Sequence, residues 1–230
     1  MTELSEFEKK IGVKFNDIKN LRTAFTHRSY LNEHDDWEGE HNERLEFLGD
    51  AVLELVSTDY LYHKYKKRPE GELTSIRAAV VNTISISETA IVLGMNDYLL
   101  LSKGEAKDNG RARQYILANT FEAVVGALYI DSGYDVARDF IKEFLLPKVE
   151  EIVEKSLWRD AKSFFQEKAQ EIEGVTPTYE VLKEEGPDHD KIFTVGLYIS
   201  KKKIAEGSGH SKQDAETDAA RAGLVAQEWN

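Results

Sequence analysis

The chain has 230 residues, of which 41% are hydrophobic and 31% charged, so it is long enough for two modest domains with ordinary cores. The absence of cysteine excludes disulfides, thiolate metal sites and a cysteine nucleophile, and it fits a reducing compartment such as the cytoplasm. A net charge of −12 argues at first against a nucleic-acid partner, but local clustering decides this, and an acidic metal site would itself make the total negative.

The segment up to about residue 155 carries apolar residues at three- and four-residue spacing with almost no proline, which predicts an all-α domain. Long helices are expected at 45–65, 74–93 and 115–130, and breaks are expected at 34–39, 68–71 and 103–110. The longest apolar run, 123–130, is too short to span a bilayer, so neither export nor a membrane partner is expected.

The segment HNERLEFLGDAVLEL, at 41–55, carries a stripe of acidic side chains. At ~100° per helical residue, Glu43, Asp50 and Glu54 fall within roughly 80° of Glu46. The rest of the helix circumference is apolar, which predicts that it is buried. Its side chains are Leu45, Phe47, Leu48, Val52 and Leu55. Like charges at this spacing destabilise a helix unless a cation lies among them.

A second helix, ILANTFEAVVGALYI at 116–130, carries Asn119 and Glu122 three residues apart on an almost wholly apolar cylinder. If it packs beside the first, Glu46, Asp50, Asn119 and Glu122 form an all-oxygen cluster that suits Mg2+ or Mn2+ rather than zinc. Metal-assisted phosphoryl chemistry is then possible. The alternative is an ordinary solvated acidic face, and spacing alone neither decides between them nor names a substrate.

After about residue 150 the pattern changes to a helix at about 160–172, three segments of period-two alternation, and a last helix. Ser211 and Asp214 form a capping box that starts the last helix, and Lys201 and Lys202 are expected to form the turn of a hairpin. We therefore predict an all-α domain at 1–153, a linker at 154–159 and a small α-β-β-β-α domain at 160–230; the resemblance described next implies that the first is the catalytic domain.

Residues 42–50, NERLEFLGD, closely resemble the signature of ribonuclease III, and the resemblance extends through 21–30, 70–78, 116–131 and the C-terminal domain. It implies a homodimeric, Mg2+-dependent endoribonuclease that cleaves double-stranded RNA, processes ribosomal RNA precursors and other transcripts, and needs no organic cofactor. By the resemblance, Glu46, Asp50 and Glu122 match metal-binding and catalytic carboxylates. Glu43 and Glu70 match acidic positions near the cleavage site.

The chain departs from this family at Asn119, where the family pattern reads Ile-Leu-Ala-Asp. An amide offers one carbonyl oxygen but no charge, so we expect weaker metal binding and reduced or abolished cleavage, with RNA binding kept. Natural drift and engineering are both consistent with the change. The alternative function is a non-cleaving RNA-binding protein on the same fold, although a retired site would be expected to lose more than one ligand.

The C-terminal domain resembles the double-stranded-RNA-binding domain, which reads A-form shape through minor-groove and phosphate contacts. Three patches carry the resemblance, and their expected RNA-binding residues are Lys162, Ser163, Gln166 and Glu167, then Pro187 and His189, then Ser211 and Lys212. A lysine in the first helical turn opposes the helix dipole unless an anion lies there, so Lys212 is either a solvated lysine or a phosphate contact. Residues 159–230 carry 10 Lys and Arg against 14 Asp and Glu, which predicts modest, salt-sensitive RNA affinity.

Overall fold

A computed structural model describes residues 3–107, 110–187 and 191–229 of the chain. The chain divides into two compact units, Met1–Lys155 and Ser156–Asn230, and the division lies inside the segment 154–159 that the sequence assigns to a linker. Within the described ranges, no helix combines the length and the apolar character needed to cross a membrane.

The first unit is helical, as the sequence predicts. Its helices are α1 (Leu4–Ile11), α2 (Ile18–Ala24), α3 (Arg28–Leu31), α4 (Glu43–Lys64), α5 (Glu70–Val80), α6 (Thr83–Val92), α7 (Arg111–Ser132), α8 (Tyr134–Phe144) and α9 (Lys148–Glu154). Two short 3-10 turns, Met95–Tyr98 and Glu105–Lys107, lie between α6 and α7.

The centre of this unit is the close contact between α4 and α7. A Cβ added to Gly49 would collide with the backbone carbonyl of Glu122, and one added to Gly126 would collide with the backbone carbonyl of Leu45. The two backbones therefore touch at two glycines, which allows a closer approach than any other residue type. The surrounding core is apolar and fully buried, with Leu53, Val56, Phe121, Val124 and Leu128 among its members.

The predicted helix at 74–93 is in fact two helices, which corrects the sequence interpretation. The chain leaves α5 at Val80, and Asn82 starts α6 by accepting a hydrogen bond of 2.9 Å from the backbone N–H of Ser85. Asparagine is a favoured helix N-cap, because its side chain satisfies a backbone N–H that has no partner inside the helix. The apolar spacing runs on across this break, so periodicity alone did not reveal it.

The predicted burial of the whole apolar circumference of α4 is wrong at two positions. Phe47 is 82% exposed and Leu55 is 56% exposed. Phe47 lies two residues after the buried Leu45, and Leu55 lies two residues after the buried Leu53. Two residues correspond to about 200° around the helix axis, so each exposed side chain points away from its buried neighbour. The apolar surface that Phe47 presents is therefore on the outside of the unit.

Asp131, at the end of α7, holds the segment that precedes α2. Its carboxylate accepts hydrogen bonds of 2.8 Å from the backbone N–H groups of Asn16 and Asp17, and one of 3.1 Å from the Asn20 side chain. Desolvation acts to raise the pKa of Asp131, but the hydrogen bonds, including one from Ser132, outweigh it and hold the pKa below its usual value. The segment before α2 is thereby tied to the end of α7.

The second unit has the predicted α-β-β-β-α order. Its elements are α10 (Ala161–Glu173), β1 (Thr178–Glu185), β2 (Ile192–Ile199), β3 (Lys202–Gly209) and α11 (Lys212–Ala226), and the antiparallel sheet has the order β1-β2-β3. The helices cover one face of this sheet around Phe165, Leu197 and Ala219, which are fully buried.

The hairpin between β2 and β3 turns one residue earlier than the sequence suggests. Ser200 has a left-handed backbone with φ of 56°, and it forms the turn with Lys201. Lys202, which was expected in the turn, is already the first residue of β3 and pairs with Ile199. Lys201 alone of the two predicted lysines lies in the turn.

Replacing Gly49 with alanine tests the close contact between α4 and α7. We expect Gly49→Ala to lower the free energy of unfolding by about 1–3 kcal/mol, because the added methyl group forces the two backbones apart. Gly71 in α5 has nothing within 4 Å of an added Cβ, so Gly71→Ala is a matched control that should be neutral or slightly stabilising. Urea unfolding of the full chain measures both variants, and similar values for the two would contradict the contact.

Candidate active site and nucleic-acid interface

The acidic side chains of α4 and α7 lie beside the glycine contact. Asp50 follows Gly49 directly, and the backbone of Glu122 is the group that Gly49 faces. Glu46 lies one helical turn before Asp50, and Asn119 lies nearly one turn before Glu122. The two helices thus bring these four residues to one place, as the sequence predicts if the helices pack together.

The charges of this cluster interact strongly. Burial first, and then the charges of Asp50 and Glu46, raise the pKa of Glu122 to about 8. Burial, followed by the charges of Glu43 and Asp50, also raises the pKa of Glu46, while a hydrogen bond from the Asn119 side chain acts in the opposite direction. In the chain by itself, Glu122 therefore holds its proton at neutral pH.

Glu43 acts on the pKa of Glu46, whereas Glu70 has its hydrogen-bond partner on its own helix. Glu43 forms ion pairs with Arg28 at 3.5 Å and with His41 at 3.7 Å, the second when His41 is protonated. Glu70 is the first residue of α5, where its carboxylate accepts a hydrogen bond of 2.9 Å from the Thr74 hydroxyl. Glu70 is not among the groups whose charge shifts the pKa of Glu46 or Glu122.

The donor set of the cluster consists of carboxylate and amide oxygens, which hard cations such as Mg2+ prefer. As the side chains stand, no group of three or more His, Cys, Asp or Glu residues in the described parts of the chain is gathered closely enough to hold a metal ion. Burial is the largest cause of the raised pKa values of Glu46 and Glu122, and the neighbouring carboxylates add to it. The residues present fit a hard cation by the chemistry of their side-chain oxygen atoms.

The predicted RNA-binding residues of the opening helix of the second unit lie on α10. Asp160 caps this helix by accepting a hydrogen bond of 2.8 Å from the Ser163 backbone N–H. Ser163, Gln166 and Glu167 are exposed and open to a ligand. Lys162 is half-buried and forms an ion pair with Glu216 of α11, so its ammonium already has an internal partner.

The other two predicted patches lie at the ends of β1 and α11. Pro187 is exposed after the end of β1, and His189 lies outside the described residues. The Ser211 hydroxyl accepts a hydrogen bond of 3.0 Å from the backbone N–H of Asp214, which makes Ser211 the predicted cap of α11. Lys212 is exposed, but its ammonium lies 3.5 Å from the carboxylate of Glu184.

Sequence analysis did not identify Glu184 and Glu216 as residues of this surface. Each pairs with a lysine that the resemblance assigns to RNA binding, and each is distant from that lysine along the chain. The only sign of these acidic partners in the sequence was that residues 159–230 carry 14 acidic and 10 basic residues. A charge count shows that counter-charges exist, but it does not show which lysine each acid contacts.

Comparisons with known proteins agree with this architecture. The family description Ribonuclease-III-like matches residues 17–149, and Double-stranded RNA binding motif matches residues 161–225. Ribonuclease 3 of Treponema denticola is 44% identical over 95% of this chain and 89% of its own length, and that of Carboxydothermus hydrogenoformans is 44% identical over 96% and 94%. Ribonuclease 3 of Borreliella burgdorferi is 40% identical over 99% of this chain and 92% of its own length.

A solved structure covers the first unit. The nuclease domain of ribonuclease III from Campylobacter jejuni is 35% identical with a TM-score of 0.58, over 63% of this chain and 97% of that one, and it is described with a flexible region involved in dimer formation. The chain therefore belongs to the ribonuclease III family. The fold class expected from the sequence, an all-α nuclease domain followed by a double-stranded-RNA-binding domain, is confirmed.

The raised pKa of Glu122 predicts a pH-dependent cost to stability. An unfolded Glu122 titrates near 4.5 and the folded one near about 8, so the folded chain binds more protons between these values and loses stability as the pH rises through them. We expect Glu122→Gln in EDTA to gain stability over the parent chain by up to roughly 1 kcal/mol per pH unit in this window. Urea unfolding at several pH values measures the difference in free energy of unfolding between Glu122→Gln and the parent chain. A difference that stays the same at every pH would contradict the raised pKa of Glu122.

Proposed function

We propose that this chain is an endoribonuclease that hydrolyses phosphodiester bonds in double-stranded RNA with Mg2+, or Mn2+ as a substitute, and that it processes ribosomal RNA precursors and other transcripts. The observation that carries the proposal is the meeting of Glu46, Asp50 and Glu122 at the contact of α4 and α7, in a chain that also has a double-stranded-RNA-binding domain. The RNA-binding domain favours duplex RNA over other phosphate esters as the substrate.

The carboxylates of Glu46, Asp50 and Glu122, with the side-chain oxygen of Asn119, are the groups that would hold the cation. When bound, the cation supplies a water of lowered pKa as nucleophile and neutralises charge on the leaving oxygen. Glu122 would release its carboxyl proton on joining the site, because a nearby positive charge favours the ionised form. Glu43, paired with Arg28, lies close enough to Glu46 to act on its pKa, so its charge adds to the field of the site.

We further propose that Asn119 impairs cleavage. Its side chain donates a hydrogen bond to the Glu46 carboxylate, so it occupies an oxygen that would otherwise be available to a cation. It also adds no negative charge to the site. An aspartate at this position would supply both a charge and a second oxygen, as the family pattern has it.

Cleavage of a labelled RNA duplex in Mg2+ tests the enzyme and the effect of Asn119 together. We expect Asn119→Asp to cleave at least tenfold faster than this chain, with unchanged duplex binding in EDTA, because the substitution restores a metal ligand. Asn32→Asp, an exposed site at the end of α3, makes the same chemical change away from the cluster and should leave the rate as it is.

Glu122→Gln in the Asn119→Asp background should remove the restored activity while duplex binding remains. If Asn119→Asp binds the duplex but cuts no faster than the parent chain in either Mg2+ or Mn2+, the role of a non-cleaving RNA-binding protein takes precedence. If neither protein binds duplex RNA, the proposed function is wrong altogether.

We also propose that the chain forms a homodimer through the exposed apolar surface at Phe47. Phe47 and Leu48 line a surface cleft of about 620 Å³ together with Leu45 and Ile130. An apolar side chain beside a cleft on the same surface suits a twofold interface, in which each copy offers the same patch to the other. The Campylobacter jejuni nuclease domain, which is described with a region involved in dimer formation, supports the homodimer but does not identify its surface.

Sedimentation of substituted chains tests the homodimer. We expect Phe47→Asp to weaken the dimer by at least tenfold in dissociation constant, because a charge would be buried in an apolar interface. Val92 in α6 is 77% exposed, so Val92→Asp makes a similar change elsewhere on the first unit and should leave the dimer intact. Equal dissociation of both variants, or a parent chain that is monomeric, would count against this surface.

A further inference from the structure

Lys212, the residue expected to contact phosphate at the start of α11, lies over a cross-strand pair of the sheet. Glu184 of β1 and Phe193 of β2 are directly opposite each other in the antiparallel register, so their side chains project on the same face. The Lys212 ammonium lies 3.5 Å from the Glu184 carboxylate and 5.6 Å from the centre of the Phe193 ring. The fold of the domain therefore places a carboxylate where Lys212 would meet an RNA phosphate.

The Glu184 carboxylate also faces a second lysine. One of its oxygens is the atom near Lys212, and the other lies 3.9 Å from the ammonium of Lys191, which directly precedes β2. A carboxylate between two ammonium groups has the charge and the oxygen acceptors that a phosphate would offer to the same lysines. It also supplies the anion that relieves the unfavourable position of Lys212 in the first turn of α11.

We propose that Glu184 limits the affinity of this domain for duplex RNA, because it competes with RNA phosphates for Lys212. The inference rests on the proposed function, since it assumes that the domain binds double-stranded RNA. To contact a phosphate, Lys212 must first leave Glu184, so part of the attraction of the RNA is offset by the ion pair that is lost. Glu184 affects RNA binding through its contact with Lys212. It therefore determines affinity and takes no part in RNA cleavage.

The ion pair is exposed enough to exchange in this way. The side chains of Lys212 and Glu184 are 59% and 42% exposed, so water screens the pair and phosphate can reach the lysine. An exposed ion pair of this kind changes an equilibrium by about two- to fivefold. Lys162 differs, because its pair with Glu216 is more buried, with exposures of 34% and 27%. Glu184 is therefore the better candidate for a carboxylate that phosphate displaces.

Binding of the full chain to an RNA duplex in EDTA, where no metal-dependent cleavage occurs, tests the proposal. The duplex should exceed the roughly 16 base pairs that such a domain spans. We expect Glu184→Gln to bind about two- to fivefold more tightly than the parent chain at low salt. The gain in affinity should shrink as the salt concentration rises, because screening also weakens the ion pair in the parent chain. A plot of log Kd against log salt should therefore be steeper for Glu184→Gln than for the parent by up to about one unit.

Two controls separate this effect from a general change of charge. Glu206→Gln removes one negative charge from the ion pair of Glu206 with Lys203 on β3, so it measures the general effect on the same sheet. Lys212→Ala should weaken binding, and adding Glu184→Gln to it should bring no gain beyond that of Glu206→Gln. Glu184→Ser serves as a second replacement, and the fold of each variant is checked by the dispersion of its amide NMR signals.

Each contrary outcome has a distinct meaning. The inference is overturned if Glu184→Gln and Glu184→Ser bind no better than Glu206→Gln, if either binds more weakly than the parent, or if the gain persists without Lys212. A parent chain that binds no duplex RNA overturns the proposed function itself. A parent chain that binds, together with a null effect at Glu184, leaves the proposed function standing and removes the inference alone.

Discussion

The contact of α4 with α7 at Gly49 and Gly126 is the constraint on which the candidate active site depends. Carboxylic acids do not gather by their own attraction, and burial, followed by the charges of Asp50 and Glu46, raises the pKa of Glu122. Apolar packing around Leu53 and Phe121 supplies the favourable free energy, and the glycines let the two backbones come close enough for it to act. The site is therefore held together by a backbone contact that involves none of its charges.

Charge is arranged differently in the two units. In the nuclease domain, acidic side chains lie together at the crossing, where burial and their mutual charges raise the pKa values of Glu46 and Glu122. In the RNA-binding domain, Lys162 and Lys212, which the resemblance assigns to RNA binding, each have a glutamate beside them. The net charge of −12 includes both the acidic cluster of the nuclease domain and the glutamates that pair with lysines in the RNA-binding domain. A single net charge therefore does not distinguish these two arrangements.

The sequence predicts what depends on local spacing, and it misses what depends on distant parts of the chain. The acidic stripe of α4, the Ser211 cap and the order of elements in the second unit follow from residues a few positions apart. The exposure of Phe47 depends on which face of α4 meets α7, and the pairing of Lys212 with Glu184 depends on the fold of the sheet.

The hydrogen bonds at Asp131 have a consequence for how the nuclease domain is made. The carboxylate lies 115 residues along the chain from Asn16, whose backbone N–H it accepts. During synthesis Asn16 and Asp17 are complete long before Asp131 leaves the ribosome, so these hydrogen bonds are absent during most of that time. Contacts of such long sequence separation form slowly, because the intervening chain must first be ordered. The hydrogen bonds that hold Asn16 and Asp17 therefore cannot form until most of the domain has been made.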